Sequence, residues 1–418
     1  MASFSFGAGN AGKLLRIPLY ALGRALTFAI PRTRDLWVFG CAVGFADGAW
    51  ALWEHAAERG DHAVWLTGSP AEDAEARRRG IPSARKGSLR GFWLTARAAV
   101  TVVTHGFGDV NRYAATGGVI VQLWHGIPLK RIGLDAPVTT QAPLPGAPAV
   151  VRRALGHLLA MSYRRTQRRI RVLPAASEMV RGRLESAFGL PDDRVPVTGE
   201  PRVDVLSRGT DAERRAFARA RLTELVPGIG DRRIVLYAPT WRDGAPDPAA
   251  PDAAQAAALR TVLTDAQAIL LVRSHPLGAG DYAAALGAGG RMLASDLVAD
   301  VTPLLPAVDV LITDYSSLAF DAALVPVPTL FLAPDLADYA RSRGFYGTYA
   351  DVAGDDVAQD WTQATALVRA VLSAPTERDR RVARARALSE RVHAFNDGEN
   401  TARVYRAVQA ALAAERRS

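Results

Sequence analysis

Four short apolar runs in this chain each end in side chains suited to handling an anion. His125 follows "VQLW", Thr240 and Arg242 follow "VLYAP", Arg273 and His275 follow "AILLV", and Asp314, Ser316 and Ser317 follow "VLI". Together they offer two imidazoles, two guanidiniums and three hydroxyls, an inventory that suits a diphosphate. The planar fork of arginine matches phosphate oxygens, and a helix opened by "DYSSLAFDAAL" presents backbone N–H groups and the positive end of its dipole. Histidine titrates near neutrality, so it can take a proton from an attacking hydroxyl or hold charge on a leaving phosphate. Each feature alone has an ordinary reading: a His before Gly as a turn residue, Asp314 and Ser316 as a helix N-cap, Arg242 and Asp243 as a surface ion pair. The functional reading rests on all of them sitting at corresponding strand ends. His105 in "THGFGD" also ends a strand, but like His157 it lacks that company and reads as structural.

The elements that must position these residues alternate. "DLWVFG" (35–40), "AVWLTG" (63–68), "LTARAAVTVVTHG" (94–106) and "GGVIVQLWHG" (117–126) read as strands or strand ends, with "ADGAWALWEHAAERG" (46–60) as a helix. A second set begins with "RRIVLYAPTW" (232–241) and runs through "QAILLVRSHP" (267–276), "VDVLITDYSS" (308–317) and "VPTLFLAP" (327–334). Strand and helix in alternation imply parallel, doubly wound α/β units, which bind ligands at the carboxyl ends of their strands. The expected organisation is an amphipathic segment at 1–34, a Rossmann-like acceptor-side domain at 35–205, a Rossmann-like donor-binding domain at 206–375 and C-terminal helices at 376–418, with the active site in a cleft between two lobes. Residues 137–149, "PVTTQAPLPGAPA", read as a mobile connector. An arginine-dense helix is expected over 151–171.

Composition narrows the partners. The 51 Lys+Arg against 42 Asp+Glu give a net charge of +9, which favours a phosphorylated substrate, an anionic membrane surface or another polyanion. No basic motif interleaved with aromatics and no zinc-finger spacing accompanies the charge, so nucleic acid is not an expected partner. A single cysteine, Cys41, excludes an internal disulfide framework. No run of 18 apolar residues is present to span a bilayer. "GKLLRIPLYALGRALTFAIPRTR" (12–34) can instead lie in the headgroup plane, although Pro18 should interrupt a single long helix. No carboxylate cluster is spaced for a metal, and no cofactor is expected.

The ordered series "LWHGIPLKRIG", "VTGEPRVDVL", "YAPTWRD", "RSHP", "ITDYSSLAFDAAL", "LFLAPDLADYARSRGFY" and "DGENTARV" resembles the CDP-glycerol glycerophosphotransferase family, the teichoic acid primases and polymerases. The resemblance implies a two-lobed GT-B-type fold. It implies a cytoplasmic enzyme held peripherally at the inner face of the cell membrane, working without a catalytic metal. On that likeness His125 is the catalytic base and His275 acts near the donor diphosphate. Thr240, Arg242, Arg273, Asp314, Ser316, Ser317 and Asp321 line the donor site, and Gly126, Lys130, Arg131 and Arg202 add contacts to phosphate or acceptor. The sequence departs from the family pattern at Glu200, a carboxylate placed to pair with Arg202, and at Ile127, where a small hydroxyl residue is usual.

The implied reaction moves a polyol phosphate, glycerol phosphate first among them, from a CDP-activated donor to a hydroxyl of a lipid-linked or polymeric acceptor. The acceptor oxygen attacks the β-phosphorus in line and CMP leaves. Rival readings are a sugar-nucleotide glycosyltransferase of the same architecture and a non-catalytic membrane-associated module that binds a polyanion.

Overall fold

The computed structural model describes residues 17–140, 146, 148–240, 242, 249–273 and 289–417. The chain divides into two compact units. Unit 1 holds the described parts of Met1–His125, Arg131–Asp204 and Glu399–Ser418; unit 2 holds those of Gly126–Lys130 and Val205–Gly398.

Unit 1 is built on a six-stranded parallel sheet in the order β3-β2-β1-β4-β5-β6. Its strands are β1 Leu36–Phe39, β2 His62–Thr67, β3 Ser83–Arg85, β4 Val100–Val103, β5 Val119–Gln122 and β6 Ile170–Val172. Every position of β1, β4 and β5 is buried. Helices cover both faces of such a sheet, so a strand with no solvent face needs an unbroken apolar run. Trp37, Phe39, Trp65 and Val121 share one core with Val404, Val408 and Leu412 of the last helix, Asn400–Glu415. That helix is fastened by the buried Asp204, whose carboxylate accepts from the backbone N–H of Asn400 (3.0 Å) and Thr401 (2.8 Å) and from the Thr401 hydroxyl (2.6 Å).

Unit 2 carries a five-stranded parallel sheet in the order β11-β10-β7-β8-β9. Its strands are β7 Arg233–Ala238, β8 Ala268–Val272, β9 Gly290–Met292, β10 Val310–Thr313 and β11 Thr329–Phe331. Helices here start on side-chain caps: Thr210 and Asp252 each form a reciprocal capping box, with Glu213 and Gln255. Helix Pro375–Val392 packs on helix Leu318–Leu324 within this unit. The C-terminal stretch expected as one set of helices is therefore shared between the two units.

One local expectation is corrected. The basic helix spans Ala149–Gln167 and stops short of 171, because Ile170–Val172 leaves it as a strand, burying Ile170 and Val172 beside β5 with Arg171 exposed between them. Pro18 is the second residue of the N-terminal helix Ile17–Ala29, in the first turn, where its missing N–H costs nothing; residues 12–16 of the segment lie outside the described residues. Gly23 lets this helix approach residue 113: a Cβ there would lie 2.6 Å from the Tyr113 carbonyl oxygen. Thr27 and Thr116 hydroxyls meet at 2.6 Å on the same side.

Candidate functional site

Each sheet reverses its strand order at one place, between β1 and β4 in unit 1 and between β7 and β10 in unit 2. A crevice opens outside the carboxyl ends of the strands at such a reversal, and ligands of open α/β sheets bind there. His105 follows β4 at the first reversal with His125 after the neighbouring β5, and Arg242 and Asp314 follow β7 and β10 at the second.

In unit 1, His125 follows β5 and is exposed. The residue before it, Trp124, has φ of 62°, a conformation that costs a bulky side chain of order 1–3 kcal/mol and is kept only where the surroundings impose it. Gly126 follows with φ of 138°, open only to glycine, so the chain turns sharply on both sides of the imidazole. The His125 ring stacks on that of His105, with centroids 4.6 Å apart and planes within 6°, and also touches the Trp124 indole at 4.2 Å. His105, set aside in the sequence as structural, is thus brought against the family histidine. One carboxylate oxygen of Asp109 fixes its loop, accepting from the backbone N–H of Thr104 (2.9 Å), His105 (2.6 Å) and Gly106 (3.3 Å). Burial lowers the basicity of His105 against the pull of the Asp109 charge, leaving a neutral ring beneath His125 at neutral pH. Cys41 Sγ lies 3.9 Å from His105 Nδ1, and burial raises its thiol well above the ordinary value.

In unit 2, Arg242 is the centre. Its Nε and Nη2 donate to the two oxygens of Asp335 (2.8 and 2.9 Å), and Nη1 donates to Asp314 Oδ2 (2.9 Å) and to the Thr240 carbonyl (2.5 Å). The guanidinium lies over the rings of Tyr315 and Tyr339, 4.9 and 5.0 Å from their centroids. Burial opposes its charge, but the two carboxylates outweigh burial and hold it more firmly protonated than usual. Burial likewise opposes ionisation of Asp335, yet hydrogen bonds from Arg242 and from the Tyr315 hydroxyl (2.8 Å) keep its carboxyl below the ordinary range. Asp314 also accepts from the backbone N–H of Thr240 (2.8 Å) and Tyr315 (2.6 Å), tying the ends of β7 and β10 together. Lys130 enters the same cluster, pairing with Phe345 in an isolated antiparallel bridge and donating to the Tyr339 hydroxyl at 3.4 Å. Burial lowers its ammonium to about 8, with Asp314 raising it and Arg343 and Arg242 lowering it further.

The other expected residues fall as follows. Arg273 donates to the carbonyls of Val298 (2.7 Å) and Ala299 (3.1 Å), and burial lowers its basicity. Ser316 accepts from the Leu318 N–H at 3.3 Å, and Ser317 opens helix Leu318–Leu324, in which Asp321 is buried. Glu200 and Arg202 face each other at 3.5 Å as nearly buried side chains. Arg131 is exposed and Ile127 is fully buried. His275 and Asp243 lie outside the described residues. Sequence reasoning passed over Asp335, Tyr315 and Tyr339, whose role emerges only from contacts with Arg242. It also passed over Asp109, four residues beyond His105, a spacing that fits a carboxylate turning back on its own loop.

Among the described residues no group of three or more His, Cys, Asp or Glu is placed to hold a metal ion, and no helix is long and apolar enough to cross a membrane. A teichoic acid poly(ribitol-phosphate) polymerase of Bacillus spizizenii is 28% identical over 253 residues, covering 60% of this chain and 38% of that protein. A teichoic acid glycerol-phosphate transferase of Staphylococcus aureus is 28% identical over 327 residues, covering 73% of this chain and 75% of its own. The structure of the wall teichoic acid polymerase TagF superposes with a TM-score of 0.74 over 97% of this chain and 96% of that chain, at 21% identity. That likeness makes the fold GT-B-type. Residues 26–410 match the family of CDP-glycerol:poly(glycerophosphate) glycerophosphotransferases, and the chain belongs to that family.

Proposed function

We propose that this chain transfers glycerol phosphate, or a close polyol phosphate, from a CDP-activated donor to a hydroxyl of a lipid-linked or polymeric acceptor, releasing CMP, in the synthesis of a teichoic-acid-like bacterial surface polymer. The observation that carries the reading is His125: an exposed imidazole, set on a strained turn and backed by a second, neutral imidazole, in a chain of this family. In the reaction the acceptor hydroxyl gives its proton to His125 as its oxygen bonds to the β-phosphorus of the donor. The bond from that phosphorus to the CMP oxygen breaks, and CMP carries away the electron pair. The His105 ring then lies face to face with an imidazolium, an arrangement that stabilises charge. Catalysis of this kind depends on positioning and charge stabilisation.

Donor binding is assigned to unit 2, to Thr240, Arg242, Arg273, Asp314, Ser316, Ser317 and Asp321, with Lys130 supplying positive charge and His275 the second imidazole. Since Arg242 also braces Asp314 and Asp335, its share in holding the donor includes shaping the β7 and β10 loop ends. Gly126, Arg131 and Arg202 complete the assignment on phosphate or acceptor.

Attachment to the inner face of the cell membrane is part of the proposal. Leu19, Leu22, Leu26 and Phe28 are exposed on the N-terminal helix, and Val150, Leu158 and Met161 on the basic helix. Apolar side chains interspersed with arginine suit an anionic headgroup layer. The test of the whole reading is a donor panel of CDP-glycerol, CDP-ribitol and nucleotide sugars offered to the purified protein. CMP release with CDP-polyols supports it; UDP release without CMP makes the chain a sugar-nucleotide glycosyltransferase.

A further inference from the structure

Beside the histidine pair, unit 1 contains a cavity of about 60 Å³. His105 forms part of its wall, and Phe107, Trp124 and Phe188 supply apolar faces. Gln122, Thr139, Tyr163 and Gln167 add polar groups, with Gly106 and Gly133 between them; Thr139 is 9% exposed and Gln167 8%. Among the described residues, Thr139, Tyr163 and Gln167 make no side-chain hydrogen bond. Tyr163 is half-buried, so these polar groups line a space still open to water, which a ligand carrying hydroxyls can replace. Gly133, with φ of 53°, keeps the space open beside one of them: a Cβ there would stand 2.9 Å from the Tyr163 hydroxyl.

We propose that this cavity receives the reacting end of the acceptor, an uncharged terminal polyol group, and presents its hydroxyl to the histidine pair. The proposal rests on the reading of His125 as the base. Two hydroxyls and an amide can both donate and accept, which matches the hydroxyls of a polyol. Among the described residues no lysine, arginine or carboxylate lines the space, so a phosphate would enter without a counter-charge and lose its hydration. The volume holds about two water-sized groups, enough for a terminal hydroxymethyl and the adjoining carbinol but not for a sugar ring. Phosphates of the acceptor remain outside, where Arg131 and the arginines of helix Ala149–Gln167 are exposed.

The experiment uses Tyr163→Phe, Gln167→Leu and Thr139→Val, each close in shape to the residue it replaces. Glycerol, methyl glucoside and inorganic phosphate are titrated into the protein while the Trp124 indole N–H is followed by NMR, with Trp124→Phe identifying the signal. Glycerol shifts that signal in the wild type, phosphate does not, and Tyr163→Phe and Gln167→Leu each weaken the response about tenfold, the scale of one lost hydrogen bond. Melting temperatures of the three variants hold, because no side-chain hydrogen bond to a described residue is lost; a structural role would lower them. The proposal is overturned if glycerol leaves the indole unmoved, if both variants respond like wild type, or if phosphate binds better than glycerol. In turnover, the acceptor KM rises in these variants; a rise in donor KM alone would assign the cavity to the donor's polyol and sink the acceptor assignment. A wild-type protein that responds to glycerol but releases no CMP from any CDP-polyol would keep the cavity as a polyol site and overturn the transfer reaction on its own.

Discussion

Arg242→Ala separates two roles that one guanidinium can play. If its main work is on the donor, the loss is a charged hydrogen bond to phosphate, about 1.5–3 kcal/mol of CDP affinity with the fold intact. The structure argues for a larger effect on the protein itself. The Arg242 side chain is 9% exposed and makes three charged hydrogen bonds of 2.8–2.9 Å to Asp335 and Asp314. Without it, Asp314 is left 4% exposed among Tyr315, Tyr339 and Tyr349 with its ion pair gone. Removing one partner of a buried ion pair costs about 3–5 kcal/mol. Asp335, at 22%, can recover some hydration, which places the expectation near the lower end. At about 2–4 °C per kcal/mol for a domain of this size, unit 2 should melt about 6–12 °C lower. Calorimetric melting and CDP titration on the same samples decide it, with Arg242→Lys as the variant that keeps charge but loses the fork. An unchanged melting temperature with lost CDP affinity would refute the brace and put the guanidinium on the ligand.

Three further outcomes follow from the geometry. His125→Ala should lower the chemical step by about 10²-fold or more while leaving the melting temperature in place, since the imidazole is exposed; single-turnover CMP release measures this, and near wild-type rates would remove His125 from the reaction. Lys130→Met should stabilise the protein at neutral pH by up to about 3 kcal/mol. With its ammonium lowered from 10.5 to about 8 in the folded state, the unfolded chain binds the extra proton between those values. Wild-type stability therefore gains from Lys130 as pH rises through that window, and below it the burial cost is felt in full. Unfolding curves of the variant, subtracted from wild type across pH 7–10, should show that slope; a flat difference would contradict it. Changing Arg164, Arg165 and Arg168 together to Gln should weaken binding to anionic vesicles by about 1 kcal/mol per cation, with the wild-type interaction itself fading as salt rises. Sedimentation that matches wild type would leave membrane attachment to the N-terminal helix.

What the sequence makes legible here is set by how far along the chain each signal extends. β1, β4, β5, β7, β8 and β10 are nearly continuous apolar runs because both faces are covered, and such runs are conspicuous. β3, β6 and β9 are three-residue strands at or near sheet edges, and "SAR", "IRV" and "GRM" become strands only by pairing with a formed neighbour. The same division holds at the site. His125 and Arg242 stand at the ends of long apolar runs and could be picked out. Asp335 meets Arg242 across 93 residues of sequence. Likewise, the cavity joins Phe107, Thr139 and Phe188 to Tyr163 and Gln167 of the basic helix. No local pattern encodes those meetings. His105 lay between the two cases: its position at a strand end was visible, but its stack on His125 follows from the adjacency of β4 and β5.

The clasp between Asp204 and Asn400–Thr401 bears on how the chain acquires its structure during synthesis. By the time residue 398 has been made, every strand of both sheets exists and unit 2 has all its segments. Unit 1 still lacks Val404, Val408 and Leu412, which pack with Trp37, Trp65 and Val121. The unit that begins first is therefore the last to be completed, its half-built core waiting through the translation of some two hundred intervening residues, on the order of 10–40 s at ordinary elongation rates. Throughout that interval the apolar groove meant for the last helix is open to water, chaperones and other nascent chains. Recombinant yield should thus depend less on the stability of the finished protein than on what shields that groove until its own helix arrives.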